Sequence, residues 1–141
     1  LAKRIPQKIS AIIGLAPAPD FPKLLIWDKM SGSEKRKLVK NRKTSIKYED
    51  GSKNDFSYKL IKDSFKNLTL SKSITFNGPV YLYHGMADDA VPYDLSIKII
   101  KTFKGTKDIK LLLDKDASHR LSETDQLKNI TNIIEEIKTK I

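Results

Sequence analysis

Three short apolar runs frame this chain. They are Ser10-Ala11-Ile12-Ile13-Gly14-Leu15-Ala16, Pro79-Val80-Tyr81-Leu82-Tyr83 and Ile109-Lys110-Leu111-Leu112-Leu113. The first two are apolar without alternation, the pattern of strands buried on both faces. Between the second and third runs, residues 93–104 carry Leu95, Ile99, Ile100 and Phe103 at helical spacing, and Gly105 marks an end. Strands separated by helices of ten or more residues form βαβ units, hence a parallel sheet with right-handed crossovers. The fold class is therefore α/β.

The remaining segments fit around that frame. Residues 2–8 read as a helix end and a connector broken at Pro6. Pro17 and Pro19 stop the first strand and stiffen the loop Ala16-Pro17-Ala18-Pro19-Asp20-Phe21, because each removes a backbone donor and biases the residue before it toward extended geometry. From about 21 to 57 the pattern is irregular and reads as a cap inserted over the edge of a sheet. It holds the apolar cluster Leu24-Leu25-Ile26-Trp27, a capping box Ser31-x-x-Glu34 ahead of a short basic helix, and a hairpin over 44–58 turning at Asp50-Gly51. Trp27 belongs either to the cap's own small core, the favoured reading, or to the lining of an acyl pocket. Leu60, Ile61, Phe65 and Leu68 predict a helix over 57–68. A last helix begins near Ser122 with Asp125 as its capping-box partner, and Leu127, Ile130, Ile134, Ile137 and Ile141 form its core stripe.

Composition narrows the function classes. At 141 residues the chain is one domain or a large piece of one, and it begins with Leu1. The absence of Cys removes disulfides, thiolate metal sites and a Cys nucleophile. No apolar run approaches the roughly 20 residues that span a bilayer, and nothing resembles a signal peptide, so a cytoplasmic protein without membrane partners is expected. The net charge of +10 raises the question of nucleic acid. The excess is almost all scattered Lys, with Arg only at 4, 36, 42 and 120, and reads as a solvated surface; the dense block from Lys35 to Lys43 is the one segment suited to a basic binding module.

The chemistry gathers at the strand ends. Strands of a parallel sheet end on one edge, with neighbours roughly 4.8 Å apart. Asp88 follows the run 80–83 and His119 follows the run 109–113, so their loops can bring a carboxylate to an imidazole. Such a carboxylate fixes the His tautomer and stabilises the imidazolium formed when the ring takes a proton. His84 is expected to pack at its strand end, since no further residues stand at metal-ligand spacing around it. Neither a metal nor a cofactor is expected.

His84-Gly85-x-x-Asp88-x-x-Val91-Pro92, followed 31 residues after Asp88 by His119, resembles the C-terminal half of an α/β-hydrolase. Ala16-Pro17-Ala18-Pro19-Asp20-Phe21, Leu60-Ile61-Lys62-Asp63 and Ser118-His119-Arg120-Leu121-Ser122 are similar to one branch of serine hydrolases. That branch includes bacterial esterases, the mitochondrial acyl-glucuronide esterase and palmitoyl-protein thioesterase. The resemblance covers roughly residues 9–137. It implies a partial α/β-hydrolase domain over 1–141, with three parallel strands equivalent to strands 6, 7 and 8 and a cap-like insertion at about 21–57. It assigns Asp88 as the triad acid and His119 as the general base, and gives no catalytic role to His84 or Asp89.

No Gly-x-Ser-x-Gly occurs in the 141 residues. The nucleophile elbow of the resembled family precedes strand 6, so both the nucleophile and the oxyanion-hole amides are expected upstream of Leu1. The expected function is the acid–base portion of a carboxyl-ester or thioester hydrolase, inactive alone. Its partner would be the missing N-terminal half or a second copy, because a strand that lacks its neighbour presents an unpaired apolar edge. The alternatives are a non-catalytic split-gene remnant that self-associates and, less favoured, the basic nucleic-acid-binding module.

Overall fold

The computed structural model describes residues 1–47 and 51–141. In chain order its elements are strand β1 (Ile12–Leu15), helix α1 (Gly32–Asn41), the strands β2 (Lys43–Lys47) and β3 (Lys53–Ser57), and helix α2 (Tyr58–Ser64). Then come β4 (Ile74–Phe76), β5 (Val80–Gly85), α3 (Asp94–Thr102), β6 (Phe103–Gly105), β7 (Ile109–Asp114) and α4 (Thr124–Lys138). The chain divides into two compact units, Leu1–Ala18 with Lys72–Ile141, and Pro19–Ser71.

The first unit is built on a parallel sheet of order β1-β5-β7. The three apolar runs supply its strands, and β5, paired on both sides, is buried at every residue. The two faces of β5 are packed differently. Leu82 and His84 share the face that meets α3, where Ser96 bonds His84. Tyr81 and Tyr83 point to the other face, toward α4, where Glu136 and Asn129 reach their hydroxyls. A parallel βα arrangement with helices on both faces is the α/β architecture the apolar runs predict.

Strand β1 departs from the expectation of burial on both faces. Ile13 and Leu15 are 39% and 44% exposed, and β1 hydrogen-bonds to β5 alone among the described residues. Ile13 and Leu15 stand opposite Tyr81 and Tyr83 in the register, so they share the α4 face. The stripe expected on α4 divides as well. Ile137 is buried and Ile130 packs on a core cluster, while Leu127, Ile134 and Ile141 are exposed; Ile133, outside the predicted stripe, joins the cluster. Helical periodicity identified an apolar side of α4, but periodicity does not say how much of that side a neighbour covers.

Two local predictions are corrected. Helix α3 stops at Thr102, and Phe103 is extended rather than helical, opening a short parallel pairing of β6 with β4. Gly105 serves that pairing, not a helix end: its φ is +98°, and an added Cβ would lie 2.5 Å from Asn77 Oδ1. At α4 the capping box is formed by Glu123 and Gln126, one residue on from the predicted Ser122 and Asp125 pair. Both reach the same result, satisfying orphan amide donors of the first turn.

The second unit runs from Pro19 to Ser71, wider than the insertion read from the sequence because α2 belongs to it. Ile26, Leu38 and Ile61 form its core, with Phe21, Trp27, Ile46, Phe56 and Tyr58 around them. Trp27 packs in this small core, edge-on to Phe65. The Ser31–Glu34 capping box starts α1 as predicted. β2 and β3 pair antiparallel from Lys43↔Ser57 to Lys47↔Lys53, and the Asp50 half of the predicted turn lies outside the described residues. Asp20 clasps the unit's ends: at φ +62° its carboxylate accepts from the amides of Thr69 and Leu70 at 2.6 and 2.8 Å.

Candidate active site

Strands β5 and β7 end level with one another, Gly85 opposite Asp114, so the loops that follow leave from one sheet edge. Gly85 lets them touch. An added Cβ there would lie 2.0 Å from the Ala117 carbonyl oxygen, so any side chain would push the second loop away. Backbone bonds fix the contact: Met86 N–H donates to Asp114 O at 2.7 Å and Ala87 N–H to Ala117 O at 3.1 Å. The glycine of the His-Gly-x-x-Asp pattern is thus a steric condition for bringing residues 84–92 and 115–119 together.

Asp88 is the centre of the site. Its side chain is fully buried, and both oxygens are committed. Oδ1 accepts from the amides of Ala90 at 2.9 Å and Val91 at 2.8 Å, a local turn that explains the spacing from Asp88 to Val91-Pro92. Oδ2 accepts from His119 Nδ1–H at 2.9 Å and from His84 Nε2–H at 3.1 Å. Four donors match the roughly four lone-pair sites of a carboxylate. Asp89, next in sequence, is exposed, so the structure distinguishes the two neighbouring acids by burial and bonding.

His119 is half open: its side chain is 45% exposed, with Nδ1 turned to Asp88. A carboxylate on Nδ1–H leaves Nε2 as the lone-pair nitrogen, free to take a proton from a group outside. Two non-glycine residues flank the region in the left-handed conformation, Ala16 at φ 42° and Leu121 at φ 47°. Both are buried with Tyr83 and Ala117, so packing holds them in a geometry such residues disfavour. Beneath the edge, Tyr83 donates to Asp114 Oδ2 at 2.9 Å, and burial raises the phenol above its ordinary pKa.

His84 is more engaged than the sequence suggested. It is fully buried, and both ring nitrogens are bonded: Nδ1 to Ser96 Oγ at 2.6 Å, Nε2 to Val91 O at 2.9 Å as well as to Asp88. The visible signal was a histidine inside an apolar strand with an acid four residues on, an arrangement a simple space-filling residue would not need. Among the described residues no group of three or more His, Cys, Asp or Glu could hold a metal ion. No helix among them is long and apolar enough to cross a membrane. The basic block falls on α1 and the start of β2, where Arg36, Lys37, Lys40, Arg42 and Lys43 are exposed and Lys35 lies over Trp27.

Comparison with known proteins bears on the fold as a whole. No family model matches the chain. Among curated proteins it is similar to the mitochondrial palmitoyl-protein thioesterase ABHD10 of Homo sapiens, 28% identical over 139 residues, and to that of Pongo abelii at 27%. Each alignment covers 96% of this chain and 44% of the relative, so the chain spans less than half the length of the curated relatives it matches. Among solved structures, a putative hydrolase from Agrobacterium vitis S4 superposes with a TM-score of 0.87 at 28% identity, over 96% of this chain and 56% of that one. Mouse α/β hydrolase domain-containing protein 10 superposes at 0.88 and 23% identity, over 99% and 56%.

Proposed function

We propose that this chain, a partial α/β-hydrolase homologous to the ABHD10 thioesterases, supplies the acid and base of a carboxyl-ester or thioester hydrolase. His119 is the general base and Asp88 the acid that orients it. The nucleophilic Ser comes from outside these 141 residues, in the same polypeptide or in a second chain. The observation that carries this reading is the 2.9 Å bond from His119 Nδ1–H to a fully buried Asp88, with the imidazole half exposed.

In the reaction, His119 Nε2 takes the proton of the Ser hydroxyl as its oxygen attacks the acyl carbon, and gives that proton to the leaving alcohol or thiol. Water then attacks the acyl carbon; His119 takes its proton and returns it to the Ser oxygen as the bond between that oxygen and the acyl carbon breaks, releasing the acid. Asp88 keeps its charge throughout and stabilises the imidazolium. That the curated relatives are palmitoyl-protein thioesterases supports an acyl thioester as substrate.

The remaining portion of such a fold docks at β1. Its second edge has no strand neighbour among the described residues, and Ile13 and Leu15 are exposed beside it, on the sheet face that also carries the exposed Leu127 and Ile134. An open edge next to apolar side chains is a template for strand addition. Alone, the chain covers this edge with a second copy. A monomer in sedimentation at high concentration would count against that pairing.

The deciding experiment uses a fluorophosphonate probe. The 141-residue chain alone should not label. Joined in frame, or mixed, with the segment that carries Gly-x-Ser-x-Gly, it should label and should hydrolyse an S-palmitoyl substrate. Both signals should vanish with His119→Ala. Labelling that survives His119→Ala rules out the assigned base.

A further inference from the structure

We infer that His84 and Ser96 form a buried positioning pair for Asp88, fixing the oxygen that His119 uses; this rests on the acid–base reading above. His84 acts through Asp88 and does not meet the reacting atoms.

Protonation follows from the partners. Nε2 of His84 faces Val91 O and Asp88 Oδ2, both acceptors, so Nε2 carries the proton and shares it between them. Nδ1 is then a lone pair and accepts from the Ser96 hydroxyl. Ser96 is fully buried on α3, between Leu95 and the apolar turn at Ile99. The direction of the chain is therefore Ser96 to His84 to Asp88, with His119 meeting the same Asp88 oxygen from the open side.

Cost points the same way. A fully buried imidazole flanked by Tyr83 and Gly85 must recover the penalty of leaving water, whereas an aromatic hydrocarbon would fill comparable space with none. All three of its bonds are made, and one falls on the acid's outward oxygen. Oδ1 of Asp88 is tied to its own loop through Ala90 and Val91. Without His84, Oδ2 would be held by His119 alone, and that ring is half exposed and must change charge during the reaction. With His84 present, Oδ2 stays in position while His119 takes and releases its proton. A catalytic constellation held by packed, bonded supporting groups keeps its geometry; one held by loops does not.

Long-range proton–nitrogen correlation spectra of the imidazoles test this on the 141-residue chain. The wild-type chain should show one tautomer at each ring, the proton on Nε2 of His84 and on Nδ1 of His119. In His84→Phe, which keeps an aromatic volume and lacks the donor, His119 should lose its fixed Nδ1–H form. In His84→Gln, whose amide can donate from the same region, it should return. A His119 spectrum unchanged in His84→Phe overturns the inference. If His84→Phe does not fold, Ser96→Ala carries the test: the Nδ1–H resonance of His119 should broaden, and an unaltered resonance overturns it. In the assembled hydrolase, His84→Phe should lower kcat on the order of tenfold to a hundredfold at unchanged KM, the loss a misplaced catalytic group brings. Equal kcat in both proteins is the contrary result. Failure of probe labelling would remove the hydrolase reading yet leave the spectra to decide on the Asp88 coupling.

Discussion

Strand β5 leads from one polar hub to another, the Tyr81 hydroxyl near its start and Asp88 three residues past its end, and they differ chiefly in burial. At its carboxyl end Asp88 takes four donors with no solvent exposure. Nearer its start the Tyr81 hydroxyl meets Asp108 at 2.9 Å, Glu136 at 2.7 Å and the ammonium of Lys140. Lys140 pairs with Asp108 at 2.8 Å and Glu136 at 3.1 Å, and Lys110 completes two acids and two bases around one phenol. The charged members of this second hub are about a third to a half exposed. Water can replace any lost partner there. Around Asp88 it can do so only on the half-open His119 side, and a donor stranded on the inner side costs its full desolvation. A tally of hydrogen bonds would rank the hubs together; burial separates them.

The strongest way to break this contrast is Asp88→Ala. It takes one of two acceptors from His84 Nε2–H, frees two loop amides and leaves a void, so unfolding free energy should fall by about 3 kcal/mol. Denaturant titration measures it, and a loss below about 1 kcal/mol would mean that the buried bonds of the hub contribute little to stability. Gly85→Ala should follow closely. The Cβ cannot occupy a point 2.0 Å from the Ala117 oxygen, so the loop must shift, at the upper end of the roughly 1–3 kcal/mol that overpacking costs. It should also release His119 from Asp88, read as loss of the His119 Nδ1–H resonance. His119→Ala sharpens the comparison from the other side. The ring is half exposed and its bond can be replaced by water, so stability should change by less than about 1 kcal/mol while the proposed activity disappears.

Much of the first hub was legible in the sequence. The spacing from His84 to Pro92 encodes one turn: Gly85 for loop approach, Asp88 for the two amides, Val91 to supply one of them and Pro92 to lead into α3. His119 followed because parallel strands end on one edge. The role of His84 was not legible, since it depends on Ser96, brought beneath the strand by the turn into α3. The exposed residues of β1 and α4 were misread for another reason. Apolar patterning records which faces are built to be covered, and Ile13, Leu15 and Leu127 carry that pattern without a cover among the described residues. The short β4–β6 pairing escaped because Phe103 fits both a helical stripe and an extended strand, and only the pairing partner decides.

The second hub has no sequence signature, because Asp108, Lys110, Glu136 and Lys140 look like ordinary surface charges until α4 packs across Tyr81. Its smaller effect is best seen by pH. The Glu136 carboxyl is held down to about 2, first by Lys110 and then by the Tyr81 hydroxyl and Lys140. A depressed carboxyl adds stability that is complete above its ordinary value of 4.5 and is lost as pH falls toward about 2. Lys140, raised by Asp108 and Tyr81, contributes in the opposite sense, losing its share only at strongly alkaline pH. Exposure and salt screen both contributions. In Glu136→Gln the denaturation midpoint should therefore drop only slightly at neutral pH, less than for any variant of the first hub. Between about pH 4.5 and about 2 it should decline less steeply than in the parent chain, and added salt should narrow the difference. Parallel pH profiles would mean that the carboxyl gains nothing from its neighbours on folding. A neutral-pH loss as large as that of Asp88→Ala would erase the distinction between the two hubs.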